Sequence, residues 1–123
     1  MKLHLERPAG LNAITAIDEH CMTVNGIPRS QTLIVPHAGI IIELGDLVFD
    51  TLASEHFDAI SALKPEVVLF GSGVKQRFVH PKLYAQLTNA GVGVETMTTS
   101  AACRTFNILV AEGRRCTALL LFN

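Results

Sequence analysis

The chain has 123 residues, 49% hydrophobic and 17% charged, enough for one domain with its own core and no need of disulfide or metal staples. Ten basic and eleven acidic residues leave a formal net charge of -1, which removes the electrostatic footprint of a nucleic-acid-binding protein. Apolar runs are short and broken by Gly, Pro or charge, so none approaches the roughly 20 residues of a membrane span.

The opening stretch, Met1 to Pro8, lacks an apolar segment ahead of a cleavage site and is too acidic for a transit peptide, so a cytoplasmic location is expected. Cysteines at 21, 103 and 116 are odd in number, widely spaced and without a C-x-x-C pair, which argues against a disulfide framework, a redox dithiol or a zinc knuckle. The histidines show no H-x-H or H-x-x-x-H spacing, and no metal site is expected.

Residues 13–18 and 20–24 alternate apolar and polar, the period of half-buried strands. Asn25-Gly26 follows and predicts a hairpin turn into Ile27. Thr32 to Val35 predicts a strand stopped by Pro36, and Gly39 to Leu44 another, ended by Gly45-Asp46. A helix is expected from Ser54, capped by that residue, with Ala53, Phe57, Ile60 and Leu63 on its apolar face and Lys64-Pro65 as its stop. Val67 to Phe70 is apolar throughout, as in a strand covered on both faces. Pro81 suits the first position of a second helix, whose stripe is Leu83, Tyr84, Leu87 and Ala90 and whose end is Gly91. Gly93 to Met97 is the next strand. Ser100 is the expected cap of a third helix with Ala102, Phe106 and Leu109 inward; Gly113 closes it, and Cys116 to Phe122 is the last strand. This order builds a C-terminal βαβαβ unit with right-handed crossovers, extended by N-terminal antiparallel strands, in a single α/β domain over residues 1–123.

Known catalytic patterns fail at the Gly71-Ser72-Gly73 turn. A phosphate-binding loop needs Gly-Lys-Ser/Thr where Gln76-Arg77 stand, a dinucleotide fingerprint needs glycine at Gln76, and a nucleophile elbow needs glycines at Phe70 and Val74. The plain reading is that Gly71 and Gly73 permit a tight exit from the strand. The nine residues from Ser72 to His80 are nevertheless long for such a connection and carry Lys75, Gln76 and Arg77 where open α/β sheets bind ligands. Thr98, Thr99 and Ser100 reach the same rim, and Arg104 lies one turn into the helix behind them. Gly71, Ser72, Gly73, Lys75, Gln76, Arg77, Thr99, Ser100 and Arg104 are therefore the candidate binding set, for a small carboxylate or phosphate or for a protein partner. The bland alternative is a solvated basic loop beside an ordinary helix cap.

Cys103, in the first turn of the third helix, is the candidate reactive thiol if His80 approaches it; a small buried residue is the commoner explanation. Asn107 sits mid-helix, where asparagine is a poor helix former. If it faces inward it needs partners, and a bond to the Gly71–Gly73 turn or to a nearby loop backbone would pin the rim; otherwise it faces solvent.

Several strings together resemble one family. Val68-Leu69-Phe70-Gly71-Ser72-Gly73, Gln76-Arg77-Phe78, Gly91 to Met97, Ala101-Ala102-Cys103-Arg104-Thr105-Phe106-Asn107-Ile108-Leu109 and Glu112-Gly113-Arg114-Arg115 are similar to the small Mth-like domain family of unknown function. Its relatives include a mitochondrial assembly factor for respiratory complex I and an adipogenesis-associated protein. The resemblance implies three layers around a mixed central sheet with one strand antiparallel to the rest, no established enzyme activity, no cofactor and no catalytic residue. The absence of a targeting segment points to a bacterial cytosolic member. The function expected from all this is a non-catalytic protein-binding or assembly module. The alternatives are a small-molecule enzyme or sensor using the rim, with Cys103 or Ser72 as its chemistry, and a structural domain whose rim does nothing.

Overall fold

The computed structural model describes residues 10–122, so Met1 to Pro8, expected to hold no targeting segment, lies outside the described residues. The first strands, β1 (Ile14–Ile17), β2 (Met22–Val24) and β3 (Ile27–Arg29), form a small antiparallel sheet of their own. Its hairpin turn is the expected Asn25-Gly26, both in the left-handed region with φ 54° and 83°. Only residues that tolerate positive φ make this turn, whose twist matches the strands it joins.

The second sheet contains β4 (Leu33–Pro36), β5 (Ile42–Glu43), β6 (Val67–Gly71), β7 (Gly93–Met97) and β8 (Cys116–Leu120) in the order β5-β4-β8-β6-β7. β6 is parallel to β7 and β8, while β4 is antiparallel to both β8 and β5. β4 is thus the one strand running against the other four. Of the N-terminal antiparallel strands, β4 and β5 extend this sheet, while β1, β2 and β3 do not join it.

Alternation along the strands sends successive side chains to opposite layers. Leu33, Val35, Leu69, Ala118 and Leu120 face one side, where α3 (Thr99–Ala111) contributes Ala102, Cys103 and Phe106 and the small sheet contributes Ile14, Met22 and Val24. Ile34, Val68, Phe70, Leu119 and Leu121 face the other, covered by Phe57 and Ile60 of α1 (Ser54–Ser61) and Leu87 of α2 (Ala85–Asn89). A 3-10 turn, Pro81–Tyr84, leads into α2. The Phe57 and Phe70 rings meet edge to face at 6.0 Å, and truncating either to alanine removes about 3–5 kcal/mol.

Four local expectations change. Pro36 is the last residue of β4, paired with Thr117, where the strand was expected to end before it. The His37 N–H donates to the Cys116 carbonyl at 2.8 Å, so by alternation the position lacking an N–H faces the β5 side, and β5 pairs no further than Ile34. Ser54 is the first residue of α1, not its cap; the cap position is Ala53, whose N–H donates to Nδ1 of His56 at 3.0 Å. Thr98, not Ser100, caps α3: its backbone is extended and its hydroxyl accepts from the Ala101 N–H at 3.3 Å. Leu63 and Ala90 sit beyond the buried stripes, exposed at the ends of their helices.

Candidate functional site

The C-terminal ends of β6, β7 and β8 meet at one rim. A Cβ on Gly71 would lie 2.9 Å from Thr99 Cα and 3.0 Å from Thr99 Oγ1, so only glycine lets the start of α3 approach β6 this closely. The Gly73 N–H donates to Thr99 Oγ1 at 2.9 Å, and that hydroxyl donates onward to the Leu121 carbonyl. The Thr99 N–H returns a bond to the Gly73 carbonyl at 2.9 Å. Residues 71–78 and 98–104 are thereby brought together.

The side chains at this rim are largely engaged within the protein. Ser72 is fully buried; its hydroxyl donates to the Lys75 carbonyl at 2.7 Å and accepts from the Arg77 N–H at 2.8 Å. The Arg77 guanidinium folds back to donate to the Ser72 carbonyl at 2.7 Å and lies over the Phe49 ring, 4.5 Å from its centroid. Gln76 Nε2 donates to the Thr96 carbonyl at 3.0 Å, and Arg104 donates to Ser100 Oγ at 2.8 Å. Lys75 remains exposed. The backbone amides that would cradle an anion, those of Gly73, Thr99, Ala101 and Ala102, all donate to protein oxygens. Beside them a groove of about 180 Å³ is lined by Ile17, Asp18, Glu19, Val74, Ser100 and Phe122. Its charged lining is acidic, the wrong sign for a phosphate or carboxylate.

What the loop turns outward is apolar. Val74 is 56% exposed and Phe78 71%, on a backbone held at both ends by Ser72 and Arg77. Neither residue, nor Asp18 or Glu19, is among the candidate site residues read from the sequence. The available signal is that Val74 and Phe78 belong to no strand or helix period, so no element claims them.

The family profile described as a protein of unknown function (DUF498/DUF598) matches residues 14–121. The chain belongs to this family. Among solved structures it is similar to a Bordetella pertussis protein described as a Mth938-like domain, with 30% identity, a TM-score of 0.83, and coverage of 98% of this chain and 92% of that one. A "13 kDa major membrane protein" of Francisella tularensis is 32% identical over 83 residues, which are 66% of this chain and 68% of that protein. The mouse NADH dehydrogenase [ubiquinone] 1 alpha subcomplex assembly factor 3 is 36% identical over 72 residues, 57% of this chain but only 39% of the assembly factor. No helix among the described residues is long and apolar enough to cross a membrane.

In this DUF498/DUF598 domain Cys103, the candidate reactive thiol, is packed in the core on the α3 side of the sheet. It is 2% exposed, and burial, opposed in part by the Arg104 charge, pushes its thiol up to about 12. His80 is occupied elsewhere, its Nδ1 accepting from the Lys82 N–H at 3.1 Å. Asn107 faces inward, but its partner is β1 instead of the Gly71–Gly73 turn: Oδ1 accepts from the Ile14 N–H at 3.0 Å, and Nδ2 donates to the Ile14 carbonyl. A second amide network went unread in the sequence. Asn12 is buried, donates to the Pro36 carbonyl at 2.8 Å and accepts from Asn25 Nδ2 at 2.8 Å, tying the hairpin to the end of β4. Among the described residues no three His, Cys, Asp or Glu side chains converge as a metal site would require.

Proposed function

We propose that the chain is a non-catalytic protein-binding or assembly module that docks a partner through the loop 74–78. One observation carries this reading: Phe78 and Val74 stand out from a loop whose backbone is fixed from within. An exposed aromatic on a preorganised backbone loses little conformational entropy on binding and desolvates readily, the combination found at interface hot spots. The similarity to an assembly factor is consistent with it. The competing reading, a small anionic ligand at Gly73, Ser100 and Arg104, has less behind it, because the amides of Gly73, Thr99, Ala101 and Ala102 are spent and the adjoining groove is acidic. A cytoplasmic location is part of the proposal and is checked by fractionation of cells making the full chain.

The test is quantitative co-purification from those cells, comparing wild type with Phe78→Ser and with Ile108→Ser, the latter removing an exposed apolar side chain of α3 as a control. Loss of at least tenfold of a stoichiometric partner in Phe78→Ser alone supports the loop. Equal recovery of every partner in all three refutes it.

A further inference from the structure

Among the described residues the two sheets have four outer edges, and three of them are engaged, interrupted by proline or very short. At β1 the Ile14 N–H and C=O are paired with the Asn107 amide. β3 has three residues with Pro28 at its centre, and β5 has only two. β7 differs. It has five residues in unbroken register with β6, contains no proline or lysine, and ends the sheet. Natural edges that are not meant to pair carry such blocking devices.

The open groups can be placed. The Met97 carbonyl accepts from the Ser72 N–H at 2.9 Å and so faces β6. Alternation then turns the backbone groups of Val94 and Thr96 outward. The Thr96 carbonyl proves the direction, since Gln76 Nε2 donates to it from the docking loop at 3.0 Å. That amide stands where the donor of an added strand would stand. The Val94 N–H and C=O and the Thr96 N–H have no partner among the described residues.

Resting on the protein-docking reading above, we infer that β7 is a strand-addition site, where an extended segment of another polypeptide pairs with Val94 and Thr96 beside the loop 74–78. The partner is a foreign segment and not a second copy. A two-fold antiparallel pair that uses all the open groups centres on Glu95 and sets that carboxylate against its own copy, a destabilising like-charge pair. A foreign strand carrying a basic or neutral residue opposite Glu95, and apolar residues on the side of Val94, meets no such penalty.

The probe is a displayed library of linear random heptapeptides selected on the full chain, with the enriched sequences synthesised. The expected result is binding that slows amide exchange at Val94 and Thr96 at least tenfold. Affinity should fall at least tenfold with Thr96→Pro, which removes an N–H that β6 does not use, and with peptides N-methylated at alternate residues, which need no change in the protein. Glu95→Lys should turn the selected residue at the facing position from basic to acidic. Failure to enrich any peptide overturns the inference. So does sedimentation of the free chain as a dimer that Thr96→Pro dissociates, which would assign the edge to self-association. Peptides that leave β7 amides unprotected but bind tenfold more weakly to Phe78→Ser sink strand addition and leave the docking loop standing. Peptides that protect β7 and ignore Phe78→Ser sink the loop instead.

Discussion

Replacing Thr99 with valine tests the lacing of the rim with almost no change of shape. The hydroxyl is buried and bridges the Gly73 N–H and the Leu121 carbonyl. Valine keeps the branched side chain and leaves both groups without their partner at a buried position. Each stranded buried group costs about 1–3 kcal/mol, so the expected loss for the two is about 2–6 kcal/mol. That is a large part of the roughly 5–15 kcal/mol of a domain this size. With about 4 °C per kcal/mol, Tm should drop by roughly 8–24 °C. Thr99→Ser keeps the hydroxyl and loses one methyl, so it should cost only about 1 kcal/mol. The assay is urea and thermal unfolding of the three proteins, with amide exchange followed at Gly73. Thr99→Val within about 0.5 kcal/mol of wild type, or Thr99→Ser as damaging as Thr99→Val, refutes the claim that this hydroxyl holds the strand ends together.

Asn107→Leu should destabilise by about 2 kcal/mol, because two hydrogen bonds to Ile14 are lost. The Ile14 amide should then exchange faster than those of β6, which exchange spectroscopy measures directly. Burial raises the Cys103 thiol to about 12 and the Cys116 thiol to about 11, from an ordinary 9.0. The unfolded chain therefore releases these protons first, so stability is full below pH about 9 and falls as pH rises towards 11–12. Alkaline unfolding curves should be shallower for Cys103→Ala, and Cys103 in the native protein should resist thiol reagents near pH 8. The hydrogen bond from Arg114 lowers the Glu66 carboxyl from 4.5, at an exposed site. That small contribution is present above 4.5 and lost as pH falls below it, so Arg114→Ala should flatten the acid limb of the stability profile, read by urea unfolding between pH 3 and 5.

The sheet was legible because its signals are local and redundant. Val67 to Phe70 is apolar at every position because β6 is central and covered on both faces, and Asn25-Gly26 admits few alternatives to a hairpin turn. The caps were read one or two residues late. Thr98, Thr99 and Ser100 all carry hydroxyls, and only the packing of Thr99 against Gly71 decides which of them is spent on the sheet and which caps the helix. The candidate rim was legible as a place, not as a chemistry. Sequence gives Arg77 a charge and a loop; it does not say that the guanidinium will find the Ser72 carbonyl and the Phe49 ring. Once Arg77 turns in, Phe78 is what the loop presents.

The same bonds that hold the rim together determine what it can do. An anion site at the end of a parallel sheet needs amides left over when folding is complete. Here the Gly73 amide goes to Thr99, that of Thr99 to Gly73, and that of Ala101 to Thr98, so the tight junction and the cradle compete for one set of donors. The junction wins, because its acceptors are built in and lie at 2.9–3.3 Å without any ligand to wait for. Among what remains available are two apolar side chains on a stiffened loop, and beside them the outward backbone of β7, one carbonyl of which a loop glutamine already engages. Both are features that another polypeptide satisfies and a small anion does not.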